Sequence, residues 1–183
     1  YFYRDKTETD EVIYRDNDGL QLSLSSEESY YKITDQNYTV RNFLRFGDEN
    51  PDIGAGGILE SIEDCAGNKL RFVIGNRGEI TSVQLTPYNQ ESYTIFRFEY
   101  NSAGLLGAIY DGSSQKILRL YYSADNNPAN ASSNSAGYLT RIVYKHQNQT
   151  VAEAQYGYDQ NGRLICACDV TSDRKIHYVY DGN

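Results

Sequence analysis

Cys166, Cys168 and His177 form the one cluster along this chain whose residue types suit a metal. If the segment after Cys168 turns tightly at Thr171-Ser172, Cys166 sits across from His177 and Cys168 across from Lys175. A slip of one residue would instead set Cys166 opposite Tyr178, because side chains alternate between the two faces of a strand. Zinc is ordinarily held by four ligands, and no fourth Cys or His lies nearby in the sequence, so no metal is expected. Cys166 and Cys168 share a strand face, an arrangement that poorly suits a mutual disulfide. With Cys65 they make three cysteines in all, too few for a disulfide framework, and the redox compartment stays open.

Other residue patterns that could carry chemistry reduce to structure. Asn101, Asp159 and Asp181 could be read as catalytic carboxylates or cation ligands, but they recur beside turn glycines and their Asx character already fits turn geometry. Asp16-Asn17-Asp18-Gly19 resembles a calcium loop, yet placing its Gly at the sixth position puts Tyr14 first and Ser25 twelfth, where ligands are required. Gly54-Ala55-Gly56-Gly57 lacks the Lys-Ser/Thr ending of a phosphate loop, and no Gly-x-Ser-x-Gly nucleophile element occurs. Asn37-Tyr38-Thr39, Asn130-Ala131-Ser132 and Asn148-Gln149-Thr150 fit the N-glycosylation triplet, which arises readily in an Asn-rich chain. No residue is assigned to catalysis, to a cofactor or to a metal, and an enzyme is not expected. The tyrosines carry the remaining chemistry. A row of them could stack on sugar rings, but sugar platforms commonly use Trp, which is absent, so cross-strand packing is expected of Tyr156, Tyr158, Tyr178, Tyr180 and Phe98.

The elements that position these residues follow from a recurring signal: an aromatic or apolar pair, an Asx-type residue, two spacers, a glycine and an alternating apolar run. It reads Phe72-Val73-Ile74-Gly75-Asn76-Arg77-Gly78, Phe98-Glu99-Tyr100-Asn101-Ser102-Ala103-Gly104 and Tyr156-Gly157-Tyr158-Asp159-Gln160-Asn161-Gly162, with a last copy at Tyr178-Val179-Tyr180-Asp181. The second aromatic, with Ile74 standing in for it once, falls at positions 74, 100, 122, 158 and 180, with gaps of 26, 22, 36 and 22 residues. Two strands of six or seven residues with two turns occupy about 22 residues at ordinary strand lengths, so each unit reads as a hairpin. The strands expected are Glu79 to Thr86, Ser92 to Tyr100, Leu105 to Tyr110, Lys116 to Tyr122, Tyr138 to Lys145, Thr150 to Tyr158, Arg163 to Asp169 and Arg174 to Tyr180. The long gap is one unit with a polar insertion over 123–136. Before residue 59 the phasing is weaker: Leu20 to Leu24, Tyr30 to Thr34 and Tyr38 to Phe46 read as strands, and Asp48 to Gly57 as a loop. No helix-period segment of useful length is evident.

Composition agrees with a β architecture. The 183 residues include 18 Tyr and 6 Phe but no Trp or Met, and Tyr suits a half-buried strand surface. The formal net charge is −8 with scattered Lys and Arg, which argues against a nucleic-acid partner. No apolar run approaches the roughly 20 residues that span a bilayer. The chain opens Tyr1-Phe2-Tyr3 and stops inside a repeat, which reads as a piece cut from a longer protein.

The recurring unit resembles that of the RHS/YD-repeat family, Tyr-Asp-x-x-Gly-Arg-Leu followed by strand, turn and strand. Tyr158-Asp159-Gln160-Asn161-Gly162-Arg163-Leu164 matches throughout, Tyr100-Asn101-Ser102-Ala103-Gly104-Leu105-Leu106 matches with conservative changes, and Asp64 to Phe72 resembles the family's intermediate turn and strand. The resemblance covers about Leu59 to Asn183, leaving 1–58 as a divergent β region and 59–183 as YD-repeat hairpins in one continuous sheet. It implies an all-β fold: an antiparallel meander of hairpins in a curved sheet forming part of a shell. Gly78, Phe98, Tyr100, Asn101, Gly104, Tyr122, Gly137, Tyr156, Tyr158, Asp159, Gly162, Arg163, Leu164, Tyr178, Tyr180 and Asp181 are then repeat-signature structural positions. The resemblance also implies a non-catalytic wall segment of a large secreted or cell-surface protein, whose partners are further repeats of the parent chain, an enclosed effector domain and, for the isolated piece, a second copy. The alternative it implies is a module that binds glycan or a cell-surface partner.

Overall fold

The computed structural model describes residues 2–6, 12–16, 20–26, 30–44, 57–123 and 137–181. All regular structure there is β-strand, and the strands from Phe2 to Thr86, and separately those from Tyr93 to His177, run antiparallel in sequence order, each bonded to its neighbour in the series. The chain divides into two compact units, residues 1–95 and 96–183, with the division inside one strand.

The first unit holds β1 (Phe2–Lys6), β2 (Val12–Asp16), β3 (Ser23–Ser26), β4 (Tyr30–Thr34), β5 (Val40–Leu44), β6 (Leu59–Glu63), β7 (Lys69–Ile74) and β8 (Ile80–Thr86). Its register pairs like with like: Leu70 lies opposite Leu85 and Phe72 opposite Val83, which is buried at 8% exposure. Neither β1 nor β2 was anticipated from sequence. The strand expected over Leu20 to Leu24 begins only at Ser23, because the Asp16 carboxylate accepts the Leu20 N–H (3.0 Å) and the Leu22 N–H (2.6 Å) and holds that stretch in a turn. The strand expected from Tyr38 begins at Val40, because Tyr38 sits at φ 60° in a turn capped by Asp35. Of the loop expected over Asp48 to Gly57, all but Gly57 lies outside the described residues, as do Asn17, Asp18 and Gly19.

The second unit continues β9 (Tyr93–Tyr100) into β10 (Leu106–Asp111), β11 (Lys116–Ser123), β12 (Tyr138–His146), β13 (Gln149–Tyr158), β14 (Leu164–Asp169) and β15 (Arg174–His177). The last strand stops at His177 rather than Tyr180, although the Tyr178 N–H still reaches the Ile165 carbonyl at 3.0 Å. The insertion expected over 123–136 lies outside the described residues except for Ser123, which ends β11.

Register sorts this unit's side chains onto two faces. One face carries the row Phe98–Ile109–Leu118–Tyr144–Ala152, strand to strand. The other carries Tyr121–Arg141–Gln155–Cys168–Lys175. Period-two alternation thus sets a largely apolar row on one face and a polar row on the other, the latter face also carrying the buried Ala108 and Val143. Among the described residues the buried apolar side chains here are Ala108, Leu120, Tyr122 and Val143, and most strand positions are half-buried or exposed. That is the burial expected of a sheet covered chiefly by its own side chains.

Candidate functional site: the capped turn and the tyrosine lock

The Asx-x-x-Gly signal folds as one local device. At Asp159 the carboxylate Oδ1 accepts the N–H groups of Asn161 and Arg163, both at 2.9 Å. The Gly162 N–H bonds the Asp159 carbonyl at 3.0 Å, the Asp159 N–H bonds the Arg163 carbonyl at 2.9 Å, and Gly162 takes φ 76°. This is a three-residue hairpin loop with a left-handed fourth residue, and the Asx oxygen satisfies two amides the turn would otherwise leave to water. Asp64, Asn101, Asp35 and Asp111 build the same turn, each with Oδ1 bonded to the second and fourth following N–H groups. In the last two the left-handed position is held by Tyr38 (φ 60°) and Ser114 (φ 64°); the turn at Asp111-Gly112-Ser113-Ser114 is the one the sequence signals between its strands, whereas the Asp35 turn carries no glycine to mark it.

The exposed turn carboxylates are stabilised as anions. Asp159 is held below the ordinary aspartate range chiefly by its bond from the Arg163 backbone N–H and next by the Arg163 side chain. Asp35 is lowered first by Arg41, Asp64 by the Asn68 amide, and Asp111 by the Ser113 hydroxyl. Asp169 caps the β14–β15 turn and is lowered first by Ser172.

The turn opening on Gly75 is the exception, having no Asx side chain. The backbone bonds persist, and Gly78 keeps φ 80°. The missing cap is supplied from the other side, where Glu79 Oε2 accepts the Arg77 N–H at 2.9 Å. A Cβ at Gly75 would lie 2.7 Å from Glu79 Oε1 and 2.8 Å from the Thr81 methyl carbon, so this turn excludes the side chain its equivalents use.

Each motif tyrosine reaches back to the preceding copy of the motif, across the base of its own hairpin. The Tyr122 hydroxyl donates to the Leu106 carbonyl (2.7 Å), that of Tyr158 to Leu139 (2.8 Å) and that of Tyr180 to Leu164 (2.7 Å). Leu106, Leu139 and Leu164 all stand two residues after a positive-φ glycine: Gly104, Gly137 and Gly162. Burial raises the Tyr122 phenol above its ordinary pKa, and Tyr158 likewise, with smaller contributions from Tyr156 and Tyr138. One residue further on, the pairing slips. Gly107, Thr140 and Ile165 are skipped in the ladders, as are Glu60 and Thr81 in the first unit. Such a bulge lets a strand bend and re-aim its carbonyls. Ser123 therefore occupies the Asx position and Gly137 the glycine position of one motif, with the insertion in place of the two spacers. Leu44 and Gly57 make the corresponding backbone pair, the Gly57 N–H bonding the Leu44 carbonyl at 2.7 Å.

The full match at 158–164 gives every signature residue a task. Arg163 Nε binds Asp159 Oδ2 at 2.7 Å, and its guanidinium lies 4.9 Å from the centre of the Tyr180 ring. Leu164 offers its carbonyl to that same tyrosine. Tyr138 packs on Tyr158 with centroids 4.9 Å apart and lies over Gly162, where a Cβ would fall 2.9 Å from its Cζ. Phe98 is half-buried in the apolar row, Tyr100 is half-buried, and Asn101 is buried at 8% exposure. Tyr156 is half-buried, whereas Tyr178 is 40% exposed. Asp181 is exposed, and the residues after it lie outside those described.

The register across β14 and β15 is the one read from the sequence, with Cys166 opposite His177 and Cys168 opposite Lys175. Among the described residues no group of three or more His, Cys, Asp or Glu side chains is arranged to hold a metal ion. The polar face is closed on itself instead. Arg141 grips Glu153 through two 2.8 Å bonds and lies 5.1 Å from the Tyr121 ring centre. That grip is the largest cause holding the Glu153 carboxyl below its usual range. No helix among the described residues is long and apolar enough to cross a membrane. The side-chain polar groups of Asn101, Tyr122, Tyr158, Asp159, Arg163 and Tyr180 are thus committed to neighbouring backbone and side chains, an arrangement fitted to holding hairpins in register.

No protein-family model matches the chain, and no curated protein matches it. Among solved structures, the crystal structure of TcdB2-TccC3 is similar over 72% of this chain and 6% of that one, with 19% identity and a TM-score of 0.48. The crystal structures of TcdB2-TccC3-Cdc42 and TcdB2-TccC3-TEV are each similar over 92% of this chain and 10% of theirs, at 13% and 14% identity and TM-scores of 0.46 and 0.48. The chain therefore spans a tenth or less of the solved chains it matches. With capped turns joining successive strands and tyrosine hydroxyls bracing the hairpins at their base, the described residues form a repeating series of antiparallel β-hairpins.

Proposed function

We propose that this chain is a non-catalytic wall segment of a large secreted or surface-exposed RHS/YD protein. The observation that supports this most directly is the tyrosine lock: the hydroxyls of Tyr122, Tyr158 and Tyr180 each bond a carbonyl at the start of the paired strand, in the preceding copy of the motif. A residue used in this way holds the two strands of a hairpin in register at its base, and in a repeat array each unit buries its neighbour's apolar side chains. Further repeats of the parent chain, and a cargo domain behind the wall, are the partners this role calls for. The recognition alternative draws on Tyr178 and Tyr180, which are 40% and 43% exposed.

A glycan panel that includes peptidoglycan pieces, run beside thermal unfolding, separates the two. The wall role predicts no saturable binding at millimolar ligand. It also predicts that Tyr122→Phe and Tyr158→Phe each lose about 1 kcal/mol of stability, the usual net worth of one hydrogen bond. Saturable glycan binding, abolished by Tyr156→Ala or Tyr178→Ala with folding intact, would replace the wall with a recognition module.

A further inference from the structure

The second unit carries an open concavity, lined by Gln155, Gly157, Cys166, Cys168, Lys175 and His177, that the repeat signature does not explain. Both thiols are free and half-buried. Register puts Cys168 between Gln155 on one neighbouring strand and Lys175 on the other, and Cys166 between Gly157 and His177. Directly opposed residues hold their Cβ atoms about 4.5–5.5 Å apart, so a thiol here has an ammonium group within reach of anything bound to it. Gly157 has no side chain to fill the space beside Cys166, whose Cβ would lie 3.5 Å from a Cβ built there. Asp173 is the one carboxylate of the lining.

We propose that this concavity is a thiol-modification site, at which Cys168 forms a mixed disulfide with a small acidic thiol. The co-reactant is the disulfide of that thiol. The Cys168 thiolate attacks one of its sulfurs, the reagent's S–S bond breaks as the new one forms, and the other half leaves as a thiolate that takes up the proton Cys168 lost. Lys175, exposed and directly opposite, attracts the reagent's carboxylates. Cys166 lies two residues earlier on the same strand face, poorly placed to resolve the adduct into an internal disulfide. Cys65 is the internal control: it is exposed and, like Cys168, adjoins a turn-capping aspartate, but it stands in a turn with no lysine paired across from it, so only Cys168 has an ammonium opposite to offset the carboxylate.

The test incubates the intact chain with oxidised glutathione, or with the cationic disulfide cystamine, and reads adducts by peptide mass mapping. Oxidised glutathione is expected to label Cys168 ahead of the more exposed Cys65, several-fold more slowly in Lys175→Gln and faster in Asp173→Asn, with the Lys175 effect fading at high salt. Cystamine is expected to reverse the order. Lys175 is exposed, so its variant tests the site without disturbing packed residues. Labelling of Cys65 first by both reagents, or a Lys175→Gln variant labelled at the native rate, would overturn the proposal. Neither outcome bears on the wall role, which the tyrosine variants test separately.

Discussion

Gly104 and Gly162 occupy the same place in the same turn, with φ 79° and 76°, yet they should respond differently to a side chain. Nothing lies within 4 Å of a Cβ built on Gly104, whereas at Gly162 that carbon meets the Tyr138 ring. Gly104→Ala therefore pays only the left-handed backbone cost of roughly 1–2 kcal/mol, and Gly104→Asn less, since Asn visits that region readily. Gly162→Ala adds the displacement of Tyr138 from its place on Tyr158, so its loss should exceed that of Gly104→Ala by about 1 kcal/mol or more. Chemical denaturation of the three variants checks this ordering. The additional Tyr138→Ala change should narrow the gap. Asn101 offers a related contrast. Where Asp159 has Arg163, the equivalent of that arginine is Leu105, and a neutral amide at 8% exposure avoids burying a carboxylate without a guanidinium.

The turns between strands show how one geometry survives changes of residue. At Gly75 the cap is lost and Glu79 replaces it, so the two positions should be energetically coupled. Gly75→Asp alone is expected to destabilise through its clash with Glu79 and Thr81. Joined with Glu79→Ala, it should cost less than the sum of the single changes, by the 0.5–3 kcal/mol typical of contacting residues, as a double-mutant cycle would show. Asp35, Asp64, Asp111, Asp159 and Asp169 all have lowered carboxyl pKa values in the folded chain. Their contribution is present above the unfolded aspartate value of about 3.9 and is lost as pH falls through the folded values. The melting temperature should therefore decline below about pH 4, and Asp159→Asn, which keeps the Oδ1 acceptor, should flatten that decline. Tyr122 and Tyr158 have the opposite sign, with raised values, so their locks persist through neutral pH and fail at strongly alkaline pH. These turns also mark where sequence stopped being informative. The hairpins with an Asx and a glycine were legible, because both residues leave a signature. The Asp35 turn puts Tyr38 in the glycine's place, and its backbone strain is held by bonds that no single residue type announces. The tyrosine lock was half legible. The spacing marked the tyrosines as structural, but the acceptor is a carbonyl exposed by a bulge, and a bulge depends on the register of two strands.

At the scale of the whole chain, the hairpins satisfy one another while leaving apolar surface open. Among the described residues of the second unit, Phe96, Tyr144, Val151, Ile165 and Ile176 are between 38% and 57% exposed, and β15 is exposed at every position. β15 hydrogen-bonds to β14, and pairing on its other side would extend the ladder with backbone groups already aligned. Open edges of this kind recruit strands unless charge or a bulge prevents it. The charges at Arg174 and Lys175 oppose such pairing, but Ile176, at 57% exposure, favours it. The purified chain is therefore expected to self-associate as its concentration rises, and light scattering across a dilution series should show the apparent mass climbing. Ile176→Lys should weaken that association without lowering stability, since the position contributes little burial. A species that stays monomeric at high concentration would show that this edge and face are already guarded. The wall role would then need its contacts to neighbouring repeats to come from covalent continuity and tyrosine locks alone.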